Sequence, residues 1–142
     1  METSTVYHAG LIHNLPKRKI LFVDEDIEDL QSALSILRVQ GHDVIRCRSY
    51  AEGADLVGRE TFDFIIVGQG SSRFEGRKVL QRVMEVDRRI PVLVLTRCLD
   101  MSAYIEAMQL GALDYLEKPV APLELMRLIA MHLRPAACAA SS

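Results

Sequence analysis

The chain has no apolar run near the ~20 residues that a membrane-spanning helix needs, and its N-terminus lacks the basic-then-apolar plan of a secretory signal. A formal net charge of only −2 over 142 residues removes any bulk electrostatic drive toward nucleic acid or an anionic membrane. Cysteine is sparse. Cys47, Cys98 and Cys138 are an odd number without metal-ligand spacing, which suits a reducing cytosol better than a disulfide framework. The four histidines include no pair at i, i+4, so a dedicated zinc site is not expected. These absences leave the expectation of a cytoplasmic protein that engages neither membrane nor nucleic acid.

The length suits one domain with its own core. Residues 1–17 are polar and aperiodic and lead into the basic run Lys17-Arg18-Lys19, which reads as a flexible N-terminal arm. Residues 18–134 carry the periodic pattern, and 135–142 form a tail of small residues. Ile20-Leu21-Phe22-Val23 is a short apolar run ended by acids, as in a buried parallel strand. Ile27, Leu30, Ala33, Leu34 and Leu37 then recur at helical spacing up to a stop at Gly41. Val44 to Cys47 is a second strand, and Ser49-x-x-Glu52 is a capping box opening a helix to about Glu60. Phe62 to Val67 is the third strand, Val79 to Val86 a helix, and Val92 to Leu95 the fourth strand, ending at Thr96. Asp100 caps a helix carrying Met101, Tyr104, Ile105 and Met108 and stopped by Gly111. A short strand around Tyr115-Leu116 leads to Lys118-Pro119, and Pro122 opens a last helix reaching about Arg134. Strands alternating with helices predict a doubly wound α/β domain on a parallel sheet.

In such folds the functional crevice lies outside the carboxyl ends of the strands. Asp24-Glu25-Asp26, Gly68, Thr96 and Lys118 all fall at predicted strand ends, which makes them one site. The clustered carboxylates repel one another unless a cation neutralises them. Two readings stand side by side: a site for an oxygen-liking divalent ion such as Mg²⁺, or acids favoured at a helix N-terminus by its dipole. Lys118 precedes a proline, so the bond is stiff or cis and the ammonium is held in place. Arg97 either reaches the acids or faces solvent. Gly68-Gln69-Gly70 begins like a dinucleotide fingerprint, but Arg73 stands where the third glycine is needed. Gly70 to Lys78 only echoes a P-loop, with the wrong glycine spacing. A glycine-rich turn is the better reading of both.

Four segments in order, ILFVDED, FDFIIVG with FEG, PVLVLT and GALDYLEKP, make residues 18–134 resemble the receiver domain of two-component response regulators. The resemblance implies a flavodoxin-like five-stranded parallel sheet in the order 2-1-3-4-5 with five flanking helices. It implies that Asp24 and Glu25 correspond to Mg²⁺-binding acids, that Thr96 and Lys118 correspond to residues contacting an aspartyl phosphate, and that Tyr115 is the aromatic that changes rotamer on activation. The phosphorylated aspartate of that family falls at Gly68, which has no carboxylate. The loop departs as well, with Ser71-Ser72 where family members commonly carry Met-Pro, and Glu75-Gly76 close to the usual Asp-Gly.

The expectation is therefore an atypical receiver that is not an enzyme and works by protein association with a signalling protein or itself. No cofactor is required, and Asp24 and Glu25 hold Mg²⁺ weakly at best. Lys118 is expected to pair with these acids and lock the pocket. On the last helix, Leu123, Met126, Ile129, Ala130 and Leu133 can line one face while Leu125, Leu128 and Met131 fall partly outside it. That pattern suits either a thickly buried helix or one with a second partner. With Met101, Tyr104, Ile105 and Met108 on the helix before, it suggests a Met-rich contact surface, and the resemblance implies that this face serves output and dimerisation, hence a homodimer through the last two helices. The alternative is a small-ligand or nucleotide sensor using the vacated pocket around Gly68 and Lys118.

Overall fold

The computed structural model describes residues 17–26 and 31–133, without the side chains of 32 and 33. The arm up to residue 16, Ile27, Leu30, the Ala33 side chain, Arg134, Cys138 and the rest of the tail lie outside the described residues. The strands are β1 (Lys19–Val23), β2 (Asp43–Cys47), β3 (Phe64–Gly68), β4 (Val92–Thr96) and β5 (Asp114–Glu117). Between and after them run α1 (Gln31–Val39), α2 (Tyr50–Arg59), α3 (Arg77–Val86), α4 (Met101–Leu110) and α5 (Pro122–His132). The sheet order is β2-β1-β3-β4-β5 with every pair parallel, the flavodoxin-like arrangement expected. β3 starts two residues later than the apolar run suggests and includes Gly68. No described helix is long and apolar enough to cross a membrane.

Because strand side chains alternate, each strand feeds two cores. Leu21, Val23, Ile65, Val67, Val92 and Val94 pack under α2, α3 and α4. Ile20, Phe22, Phe64, Ile66, Leu93 and Leu95 pack under α1 and α5. All twelve are completely buried, each contributing about 1.5–3 kcal/mol of hydrophobic stabilisation. Local signals set the helix ends. The Ser49 hydroxyl accepts from the Glu52 N–H, and the Asp100 carboxylate accepts from Ser102 and Ala103. Gly111 closes α4 in the left-handed region at φ 109°, and Pro122 opens α5.

α5 corrects the expected face. Leu125 and Ile129 are buried, Met126, Leu128 and Leu133 are half-buried, and Leu123 and Ala130 are exposed. The helix meets the sheet along the 125–129 line, and a residue two positions from that line lies about 200° around the helix. Leu123 opens onto a groove with Gln40, His42 and Met126, whereas Met131 lines one with Arg88 and Gly111. The first groove holds no α4 residue, whereas the second is bordered by Gly111, which closes α4.

One glycine is required by close approach. A Cβ on Gly76 would fall 2.1 Å from the carbonyl oxygen of Gly68, so α3 begins against the end of β3 with nothing between. Gly76→Ala must push these backbones apart. We expect a loss of about 1–3 kcal/mol, the range for overpacking, read as a lower urea midpoint.

Candidate functional site

Parallel pairing places the four strand ends side by side. Val23 pairs with Val67, Gly68 with Leu95, and Thr96 with Glu117. Asp24 continues β1 by donating its N–H to the Cys47 carbonyl at 3.0 Å, and Lys118 continues β5 by donating its N–H to the Thr96 carbonyl at 2.7 Å. The Lys118–Pro119 bond is cis. Residues 94 positions apart thereby meet: Lys118 Nζ donates to Asp24 Oδ2 at 2.7 Å. Their side chains are only 7% and 4% exposed.

This ion pair occupies the place where a residue-68 side chain would begin. A Cβ built on Gly68 would lie 2.5 to 2.7 Å from the carboxylate atoms of Asp24. The second carboxylate oxygen accepts the Asp26 N–H at 3.0 Å, so both oxygens are held. Arg97 reaches the acids as well, with Nη2 3.2 Å from Asp26 Oδ1. That pair is largely exposed and contributes under about 1 kcal/mol. Glu25 is exposed at the rim. Tyr50 lies beside these acids, and burial, then the charges of Asp24 and Glu25, push its phenol well up.

The acids do not fit a bound Mg²⁺ as they stand. Among the described residues no three His, Cys, Asp or Glu are placed to hold a metal. Lys118 and Arg97 neutralise from within the chain what a divalent ion would otherwise neutralise.

Thr96 does not turn toward Gly68. Its hydroxyl donates to the Cys98 carbonyl at 2.9 Å and accepts the Cys98 N–H at 3.2 Å, which ties it to its own loop. Tyr115 points inward and is buried. Its hydroxyl donates to Gln69 Oε1 and accepts the Asp100 N–H at 3.2 Å. Gln69 was missed in the sequence because it stood inside a glycine turn, and nothing local shows that its amide is buried. Tyr104, Ile105 and Met108 are exposed on α4.

The loop after β3 is clasped by Glu75. Its carboxylate accepts from the Ser71 N–H at 2.7 Å and from the Ser71 hydroxyl at 2.9 and 2.8 Å. The hydroxyl and then the N–H of Ser71 lower the Glu75 carboxyl below its ordinary value near 4.5. The clasp is therefore complete above that value and is lost as pH falls through the lowered one. Gly70 takes φ 86° in this loop, as the turn reading expects.

Residues 20–130 match the response regulator receiver domain family. The chain belongs to that family. It is 31% identical over 101 residues to the transcriptional regulatory protein ZraR of Escherichia coli K12, covering 71% of this chain and 23% of that protein. The chain thus spans about a quarter of the length of that relative. A receiver domain protein (CheY-like) from Methanospirillum hungatei superposes with a TM-score of 0.75 at 24% identity, covering 82% of this chain and 93% of that one. A receiver domain protein from Clostridium thermocellum gives a TM-score of 0.71 at 27% identity, covering 81% and 93%. In this receiver, then, Asp24, Gly68 and Lys118 are brought into contact, while Glu25 and Thr96 flank them without joining.

Removing one partner of a buried ion pair strands the other. Lys118→Ala is expected to cost about 3–5 kcal/mol, whereas Arg97→Ala costs under about 1 kcal/mol. Urea unfolding of the two variants beside the wild type measures both.

Proposed function

We propose that this receiver is a protein-binding module that takes no aspartyl phosphate. The observation that carries this reading is the Asp24 carboxylate standing against Gly68 and held there by Lys118. A phosphoryl group arriving at this strand end meets no carboxylate from residue 68, the Asp24 carboxylate there is held at both oxygens, and the lysine that would contact the group is already paired. The nearby Ser71 hydroxyl is engaged by Glu75, so it offers no substitute held in line for attack. We read the module as not an enzyme, because the Ser71 hydroxyl and the Glu75 carboxylate that stand together beside the pocket close a loop, and that carboxyl is held below its ordinary value, which makes it a weak base. Mg²⁺ is not required, because the acids have internal cations. A ligand sensor using the Gly68 space would first have to displace a carboxylate held at both oxygens, which is why association is preferred.

The surface that supports association is α4. Ala103 and Ala107 face the sheet and are buried, while Met101, Tyr104, Ile105 and Met108 face outward at i, i+3, i+4 and i+7, exposed by 71, 42, 46 and 37%. Leu99, 59% exposed, extends the stripe beyond the helix start. A helix that puts its small residues inside and its large apolar ones outside is arranged for a second partner. A second copy of the chain is the partner we assign, with the stripe of α4 rather than the outer side of α5 at its centre.

Intact-mass measurement after incubation with Mg²⁺ and a small phosphodonor tests the first half. The wild type is expected to keep its mass, and Gly68→Asp, which forces Asp24 aside, to gain one phosphoryl group. A phosphorylated wild type overturns the reading. Sedimentation velocity tests the second half: the wild type self-associates and Ile105→Arg is monomeric at the same concentration.

A further inference from the structure

We propose that Gln69 is the positioning residue that holds Tyr115 inward and thereby keeps open a groove on α4 for a side chain of a second copy. This rests on the reading of α4 as the docking face and assigns how that face is held in one state.

The backbone of Gln69 is pinned on both sides, with its N–H donating to Leu95 at 2.7 Å and its carbonyl accepting from Gly76 at 3.1 Å. Its side chain, on a residue only 3% exposed, uses both ends of its amide. Nε2 donates to the Ser71 carbonyl at 3.0 Å, and Oε1 accepts the Tyr115 hydroxyl. Tyr115 in turn accepts the Asp100 N–H, from the residue that caps α4. A single hydrogen-bonded line therefore joins the loop after β3, the side chain of β5 and the first turn of α4. If Tyr115 swung outward it would leave a buried amide oxygen without a donor, which is costly. An apolar residue at position 69 would impose no such penalty.

The position of Tyr115 decides the shape of the surface. Its ring meets Tyr104 edge-on, with centroids 5.7 Å apart, and borders a groove of about 470 Å³ between Leu99, Asp100, Met101 and Tyr104. An outward Tyr115 would move into that groove, so the inward position keeps it empty. The groove and the stripe beside it carry one charge, the Asp100 carboxylate, which is engaged in capping α4 by accepting from Ser102 and Ala103. Glu106 is the sole charged side chain of α4, and it is paired with Arg77 of α3. The rest of the face is apolar, so in an isologous contact the like charges that meet are the two Asp100 carboxylates, each held by the first turn of its own α4. Five exposed side chains make a small face beside the roughly 800 Å² per partner of a standard interface, so filling the groove matters to whether the pair forms.

The test reads the Asp100 amide in ¹⁵N-labelled protein at a dilution where it is monomeric, and self-association by sedimentation at higher concentration. Gln69→Leu is expected to shift the Asp100 amide, remove its protection from hydrogen exchange, and weaken association about tenfold, the scale of one buried hydrogen bond. Tyr115→Phe should do the same, and in that background Gln69→Leu should have no further effect on either readout. Should Gln69→Leu fail to fold, Tyr115→Phe alone carries the amide and association tests. An unchanged Asp100 amide in either variant overturns the proposal, as does a Gln69→Leu effect of equal size with and without the Tyr115 hydroxyl. Absence of self-association at any concentration overturns the second copy as occupant and the association reading with it, while the amide signals of the monomer still decide the role of Gln69.

Discussion

Two opposite charges, Asp24 and Lys118, are sealed from water at the ends of two strands that are not neighbours in the sheet. Burying either ion alone would cost several kcal/mol even after relaxation, so each is tolerated only while the other is within hydrogen-bonding reach. The contact needs room, and the room comes from a glycine. With any Cβ at position 68 the carboxylate could not occupy its present place. The missing side chain, the inward carboxylate and the sequestered lysine are thus one arrangement. Each depends on the other two.

On the reading proposed here, that arrangement separates this receiver from a phosphate-driven one at the level of electrostatics. A receiver that exchanges phosphate needs acids free to hold a cation and a lysine free to meet a new negative charge. Here the chain supplies its own cations, Lys118 to Asp24 and Arg97 to Asp26. The loop above is likewise closed by its own groups, with Glu75 holding Ser71. A site satisfied internally has little differential affinity left for an incoming charge, and without differential affinity no ligand shifts a conformational equilibrium.

On the proposed reading the function passes to the outer side of α4. Alanines let the helix sit close to the sheet, which pushes its methionines, tyrosine and isoleucine outward. The inward Tyr115 lies between this surface and the closed pocket, bonded on one side to Gln69 and edge-on to Tyr104 on the other. Tyr115 in a state fixed by the chain itself is what a constitutive binding surface would use in place of a switch.

Much of this was legible along the chain. Apolar runs ended by acids, threonine or Lys-Pro located β1, β4 and β5, and Ser49, Asp100, Gly111 and Pro122 marked helix ends through bonds spanning a few residues. The alternation of strands and helices and the placement of Asp24, Gly68, Thr96 and Lys118 at strand ends followed, because period and handedness are local properties that parallel winding turns into a topology. The tertiary structure alone decided which groups meet. It set Lys118 on Asp24 rather than on Glu25, turned Thr96 to Cys98, carried Gln69 to Tyr115 across 46 residues, and chose the 125–129 line of α5 over the neighbouring one. The reason is physical. A charge or amide chooses its partner by distance and desolvation in three dimensions, and neither quantity is written in the spacing of residues along a chain.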